Sequence, residues 1–146
     1  IDEWLKHYPI ISVEDGLAED DWDAWPALRT SLSGRAITLG DDHLCTNPQR
    51  IQKSIDCQSA NALLLKVNQI GTVTEAAEAL RLARTAEWEV VVSARSGETE
   101  DDWLADLAVG WSGNYIKIGS ITQSERLAKY NRLLEIEATT NLDFAS

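Results

Sequence analysis

The 146-residue chain has no methionine, one phenylalanine, three prolines and two cysteines. Each scarcity excludes something. Few prolines and only eight glycines, with no repeated short unit, exclude a collagen-like or low-complexity chain. Cys45 and Cys57 lie in no CxxC or Cys/His metal spacing, and two cysteines are too few to staple a secreted scaffold. They are expected to be buried or inert thiols in a reducing compartment. The longest strictly apolar runs, Ala62 to Leu65 and Val90 to Val92, fall far short of the ~20 residues of a membrane span. No basic-then-apolar leader opens the chain, so a soluble, non-membrane protein is expected. Positive charge is also scarce, 13 Lys+Arg against 24 Asp+Glu, for a net charge of −11 and a pI near 4.5. Such a surface repels phosphate backbones and anionic headgroups, and nucleic acid is not an expected partner. A small anionic substrate stays possible where a few cations converge or a divalent metal supplies charge. The first residue is Ile1, and with no methionine the chain is expected to be a piece of something longer.

What is present is globular: 44% hydrophobic and 25% charged residues, in a length suited to one domain burying roughly two-thirds of its surface. Short β-branched runs alternate with longer amphipathic ones. Pro9 to Val13 reads as a strand, and Asp21 to Leu32, with Trp22, Trp25 and Leu28 at helical spacing, as the helix after it. Gly34 ends that helix, and Ala36 to Leu39 is the second strand. Asn47-Pro48 supplies an N-cap followed by proline at the first helical position, opening a helix to about Cys57. Asn61 to Val67, nearly all apolar, reads as a strand buried on both faces. Thr72 with Glu75 makes a capping box for a helix to about Ala86. Trp88 to Ser93, Glu100 to Gly110, Tyr115 to Ile118 and Thr122 to about Ala138 continue as strand, helix, strand and helix.

Five successive βα units predict an α/β fold with a parallel sheet, either open and doubly wound or part of a (β/α)8 barrel. No internal linker divides the chain. Neither GxGxxG nor GxxxxGK[ST] follows the first strand, which weighs against a nucleotide-binding open sheet.

The strand ends carry the chemistry. Glu14-Asp15 follows the first strand, Asp41-Asp42 the second, Lys66 ends the third, Arg95 and Ser96 follow the fourth and Lys117 ends the fifth. In a parallel barrel all these ends reach one rim, where active sites of such barrels sit. Lys66 lies inside the apolar run Leu63 to Val67, where an ammonium costs several kcal/mol unless it is paired or its pKa falls. A lysine of lowered pKa abstracts protons. Glu14 and Asp41, from adjacent strands, offer the hard oxygens that Mg2+ prefers. Arg95 and Ser96 supply a donor fork and a hydroxyl for phosphate, and Lys117 a point charge for a carboxylate.

At these residues the chain resembles the enolases. The resemblance is carried in order by Ser12-Val13-Glu14-Asp15-Gly16-Leu17-Ala18-Glu19-Asp20-Asp21-Trp22, Gly40-Asp41-Asp42 with Thr46-Asn47-Pro48, and Leu64-Leu65-Lys66-Val67-Asn68-Gln69-Ile70-Gly71-Thr72. It continues through Arg95-Ser96-Gly97-Glu98-Thr99-Glu100-Asp101, Ile116-Lys117 and Ser124-Glu125-Arg126-Leu127-Ala128-Lys129-Tyr130-Asn131. It implies a partial TIM barrel, with residues 1–146 as the last five βα units of the C-terminal domain. It also implies Mg2+ as cofactor, ligated by Glu14 and Asp41, and Lys66 as the base that removes the proton alpha to the carboxylate of 2-phosphoglycerate. Arg95 and Ser96 match the phosphate-binding pair and Lys117 the lysine that holds the substrate carboxylate. A cytoplasmic, homo-oligomeric parent protein is implied as well.

Two departures qualify it. Enolases normally read Ser-His-Arg-Ser-Gly-Glu-Thr-Glu-Asp where this chain has Ser93-Ala94-Arg95-Ser96, so Ala94 replaces an active-site histidine and is expected to lower or redirect the dehydration. The family's N-terminal domain, first metal ligand and acid glutamates would all precede position 1, so the isolated chain is expected to be inactive. An enolase comes first, an enolase-like paralogue such as a carboxyphosphonoenolpyruvate synthase second, and an inactive structural or binding fragment third. An open half-barrel, or its dimer, is expected in isolation. Among the remaining residues, the six tryptophans are expected to pack helices on strands, and His7 to sit at a surface or helix end. The run Glu98 to Asp102 is expected to be a helix N-terminal charge cluster. His43, two residues past Asp41, is the one histidine placed to substitute for the one missing at Ala94.

Overall fold

Alternation of strand-forming and helix-forming segments yields the expected order in the computed structural model, which describes residues 1–140. The strands are β1 (Ser12–Glu14), β2 (Ile37–Gly40), β3 (Ala62–Leu65), β4 (Glu89–Ser93) and β5 (Tyr115–Lys117). The helices are α1 (Asp2–His7), α2 (Trp25–Leu32), α3 (Pro48–Cys57), α4 (Val67–Ile70), α5 (Val73–Thr85), α6 (Trp103–Gly110) and α7 (Ser124–Thr139). The chain divides into two units, Ile1–Val90 and the residues from Val91 onward. No helix of the described residues is long and apolar enough to cross a membrane.

In the first unit three strands pair in parallel. Ser12, Val13 and Glu14 stand beside Ile37, Thr38 and Leu39, and Leu39 and Gly40 beside Ala62 and Leu63. All of β3 is fully buried, as its unbroken apolar sequence requires. β4 starts in this unit, with the Glu89 N–H donating to the Asn61 carbonyl at 3.3 Å. Helix α5 turns Ala76, Ala79 and Ala83 inward with no exposure, and these small side chains let it lie close against β3 and α3. Its N-cap is Thr72, whose hydroxyl accepts the Glu75 N–H at 3.2 Å and donates to the Glu75 carboxylate at 2.6 Å. Asn47 caps α3 by accepting the N–H groups of Gln49 and Arg50. In the second unit β4 and β5 pair in parallel, with Ser93 beside Lys117. Helix α6 packs against α7, and the Arg132 guanidinium grips the Asp106 carboxylate, its shortest contact 2.8 Å.

Boundaries differ from expectation for local reasons. Strand three stops at Leu65 instead of Val67, because the Lys66 N–H turns to the Thr46 hydroxyl at 2.9 Å and Val67–Ile70 closes a helical turn. Helix α2 starts at Trp25, not Asp21, with Pro26 in its first turn, where a missing N–H costs nothing. The first strand is Ser12–Glu14, shifted toward the carboxylates. Helix α1 was not expected, although its acidic first turn (Asp2, Glu3) and basic last turn (Lys6, His7) follow the helix dipole. The acidic run Glu98 to Asp102 is not a helix terminus as a whole. It precedes α6, and only Asp102 takes the N-cap position. Trp25 and Trp88 are core residues, whereas Trp4 and Trp103 are exposed, which removes those two from the expected packing role. His7 closes α1 on the surface.

Candidate active site

In the first unit the site is built on strand parity. Leu39 stands beside Ala62, and alternation along each chain then puts Asp41 and Lys66 on one face of neighbouring segments. Both are buried, and the Lys66 ammonium donates to the two Asp41 oxygens at 2.6 Å each. The expectation that Lys66 must be paired or shifted inside an apolar run is met by pairing. A buried ion pair this close is held in place by what breaking it would leave behind, an uncompensated charge in a low-dielectric interior.

The loop carrying Asp41 is fixed through its backbone. Asp15, at φ +42°, accepts the N–H groups of Asp41 and Asp42 on its two carboxylate oxygens, at 2.9 and 2.8 Å. Thr46 has an unusual φ of +53° for a β-branched residue. Its hydroxyl takes the Lys66 N–H at 2.9 Å and lies 3.2 Å from the Gln69 amide oxygen. Neither role was read from the sequence. The Asx-like clamp by Asp15 was legible in principle, since a carboxylate just past a strand end often binds backbone N–H groups of the adjacent turn.

Carboxylate oxygens of Asp15, Asp41 and Asp42 lie within 4.8 Å of one another. Glu14 stands exposed at the end of β1, outside that trio. Glu14 and Asp41 are the oxygen donors that the sequence pointed to; Asp15 is engaged by two backbone donors, and a cation at Asp41 would share its carboxylate with the Lys66 ammonium, which contacts both oxygens. These carboxylates are all hard ligands of the kind a divalent cation such as Mg2+ takes.

His43 does not substitute for a missing catalytic histidine. It is fully buried, stacked on Trp25 at 3.9 Å and 7° and tilted against Trp22 at 4.2 Å. Its Nδ1 meets the Glu19 carbonyl at 2.8 Å and its Nε2 the Ser59 hydroxyl at 2.9 Å. A carbonyl only accepts, so Nδ1 carries the proton, and the neutral ring accepts at Nε2 from Ser59. Burial depresses the His43 pKa, outweighing the Glu19 carbonyl that favours the cation. The unfolded chain therefore binds this proton more readily than the folded one. The stability gained is full above the ordinary histidine range and declines as pH falls through the depressed folded value. His43→Gln is expected to flatten the acid side of the stability profile. Urea midpoints measured between neutral and mildly acid pH check this, and an unchanged acid slope would contradict it. Cys45 and Cys57 are free and half-buried, and burial pushes the Cys45 thiol up.

In the second unit, Arg95 and Ser96 are exposed just beyond β4, and Lys117 is exposed at the end of β5. Register brings these ends side by side: Ser93 pairs with Lys117, and the Ala94 N–H donates to the Lys117 carbonyl at 2.9 Å. Ala94 is itself buried. The Arg95 N–H is held by the Glu98 carboxylate at 2.8 Å, and Glu98 meets the buried Lys129 ammonium at 3.1 Å. Lys129 and Arg126 are supporting residues that the sequence reading quoted without a role.

The family model described as "Enolase, C-terminal TIM barrel domain" matches residues 1–143. The chain is 55% identical over 135 residues to "Enolase 1" of Methylococcus capsulatus, covering 92% of this chain and 32% of that protein. It is 54% identical over 136 residues to "Enolase" of Malacoplasma penetrans, covering 93% of this chain and 30% of that one. The chain thus spans about a third of the length of the curated relatives it matches. Its parallel βα units are part of a TIM-barrel α/β fold, the barrel alternative of the two that strict alternation allowed.

Proposed function

We propose, on the premise that this chain belongs to the enolase family through its C-terminal TIM-barrel domain, that it carries the proton-abstracting part of an enolase-type lyase site. The reaction is dehydration of 2-phosphoglycerate to phosphoenolpyruvate. The observation that carries the reading is the buried Lys66 ammonium, closed onto Asp41 at 2.6 Å at the C-terminal end of an apolar strand. After its ammonium gives up one proton to solvent, the Lys66 amine takes the proton from the carbon alpha to the substrate carboxylate. The electron pair left behind forms the new double bond as the neighbouring hydroxyl departs as water. Asp41 orients Lys66, the Arg95 fork and the Ser96 hydroxyl bind phosphate, and Lys117 faces the carboxylate. Mg2+ held by Glu14 and Asp41 would supply positive charge against the substrate carboxylate. The proton donor to the leaving hydroxyl is supplied from the part of the relatives' length that this chain does not span, so residues 1–146 alone are expected to be inactive. The parent protein is proposed to be a cytoplasmic homo-oligomer acting on a small phosphorylated anion.

A second reading rests on Ala94. A buried methyl where the family has an imidazole leaves room for a bulkier phosphonate or carboxyphosphono substrate. The full-length gene product containing this chain separates the two. Under the first reading, Ala94→His raises turnover of 2-phosphoglycerate by about a hundredfold or more, at the lower edge of what a positioned acid–base group contributes. Under the second, the substitution leaves that turnover unchanged and lowers turnover of the phosphonate compound. No turnover of any phospho-hydroxy acid and no Mg2+ binding by the parent protein would favour an inactive structural or binding domain instead.

A further inference from the structure

Arg95 and Ser96 sit in an exposed loop, residues 94–102, between the end of β4 and the start of α6. An unrestrained loop containing Gly97 would be mobile, and ordering it around a small anion would weaken binding. Two buried cations on the first turns of α7 hold it from beneath. The Arg126 guanidinium, 8% exposed, sends Nη1 to the carbonyls of Arg95 at 2.7 Å and Ile118 at 3.0 Å. Its Nη2 reaches the Ser96 carbonyl at 2.8 Å. The Lys129 ammonium, 1% exposed, donates to the Thr99 carbonyl at 2.6 Å and pairs with Glu98 at 3.1 Å. Glu98 in turn accepts the Arg95 N–H at 2.8 Å. The chain from Arg95 to Thr99 is therefore gripped at both ends and in the middle, entirely within the second unit.

We infer that Arg126, supported by Lys129, is a positioning residue that sets the affinity of the Arg95–Ser96 loop for a phosphate group; this rests on the phosphate role proposed above. A planar fork can hold the carbonyls of two successive residues and tie them to the end of β5, which a single ammonium cannot do. Carbonyls drawn inward onto Arg126 are withdrawn from the exposed side, where they would repel an anion. Arg126 makes no ion pair among the described residues, so its full charge stands directly behind the loop. Gly119, at φ +104°, takes the left-handed turn beside it, where an added Cβ would lie 3.6 Å from the guanidinium.

The test uses the full-length gene product, calorimetric affinity for inorganic phosphate, and hydrogen exchange of the amides of residues 95–99. Arg126→Lys keeps the charge and loses the fork. It is expected to weaken phosphate by about tenfold and to speed exchange in the loop, with Arg126→Gln at least as severe. Arg132→Gln, on the same helix as Arg126, breaks the contact with Asp106 of α6 and is expected to leave both readouts near the parent values, separating loop positioning from general loosening of α7. Phosphate affinity kept within about twofold in Arg126→Lys, with or without faster exchange, overturns the inference and leaves the assignment of Arg95 and Ser96 standing. So does equal weakening in Arg132→Gln. Absence of phosphate binding by the parent protein overturns that assignment, and the inference with it.

Discussion

Lys66→Met is expected to lower turnover of 2-phosphoglycerate in the full-length gene product by at least ~10²–10⁴-fold, the range lost when a positioned acid–base group is removed. The substrate KM should change little, because the role proposed for Lys66 is at the carbon alpha to the carboxylate, while phosphate binding is proposed for Arg95 and Ser96. The same substitution leaves the Asp41 carboxylate buried without the ammonium that now contacts both its oxygens. A one-sided break of such a pair costs about 3–5 kcal/mol. The two effects separate in a second variant. Lys66→Met with Asp41→Asn removes both charges, and it should recover much of the lost stability and none of the activity. If Lys66→Met were folded and fully active, Lys66 would not be the base. If the double variant recovered activity along with stability, the loss would have been one of folding.

An effect on stability as large is expected at Trp25. It has no exposure, stacks on His43, and donates its indole N–H to the Ala18 carbonyl at 2.9 Å. Trp25→Ala would leave a cavity the size of an indole, at a cost of about 3–5 kcal/mol, a large part of the ~5–15 kcal/mol that holds a domain together. Trp25→Phe should fall between, keeping a ring against His43 and losing the hydrogen bond. Urea unfolding followed by far-UV circular dichroism reads both, since tryptophan fluorescence would change with the substitution itself. A shift under about 1 kcal/mol for Trp25→Ala, the size of an ordinary surface-to-core average, would mean that the neighbouring side chains refill the space. The consequence extends past stability. His43 belongs to the loop that carries Asp41, and with Trp25 gone the ring would keep only its Glu19 and Ser59 contacts and the tilted face of Trp22.

Much of this was legible in the sequence, for physical reasons that can be named. Short β-branched or apolar runs and helical spacing located the five strands and the longer helices of the described residues, because burial leaves that imprint on the order of side chains. Lys66 stood out because an ammonium inside Leu63 to Val67 demands compensation, but that Asp41 supplies it depends on the register that sets Leu39 beside Ala62. What was not legible depends on where the backbone turns. Asp15 read as half of an acidic pair, yet its work is to hold two N–H groups of a loop 26 residues away. In the sequence Thr46 is only a neighbour of the Asn47-Pro48 cap, yet it holds the Lys66 N–H. His43 read as a rim histidine, because nothing in a linear sequence distinguishes a side chain facing the rim from one turned under Trp25. Arg126 and Lys129 lie where helical spacing shows only an amphipathic surface, and a buried cation satisfied by carbonyls has no acidic partner in the sequence to betray it.

The supports described in each of the two units share one property. Asp15 binds the amides of Asp41 and Asp42, Thr46 the amide of Lys66, Arg126 the carbonyls of Arg95 and Ser96, Lys129 that of Thr99, and Glu98 the amide of Arg95. Each holds main chain, and main-chain atoms are the same whatever side chain they carry. Position 94 can thus pass from an imidazole to a methyl while its N–H still meets the Lys117 carbonyl, and the loop keeps its course. A frame of this kind separates heritable change in chemistry from change in architecture. Substitutions at the exposed positions Arg95 and Ser96 are expected to cost little stability, whereas those at Asp15, Thr46 and Arg126, like those at the buried Lys66–Asp41 pair, put the arrangement itself at risk.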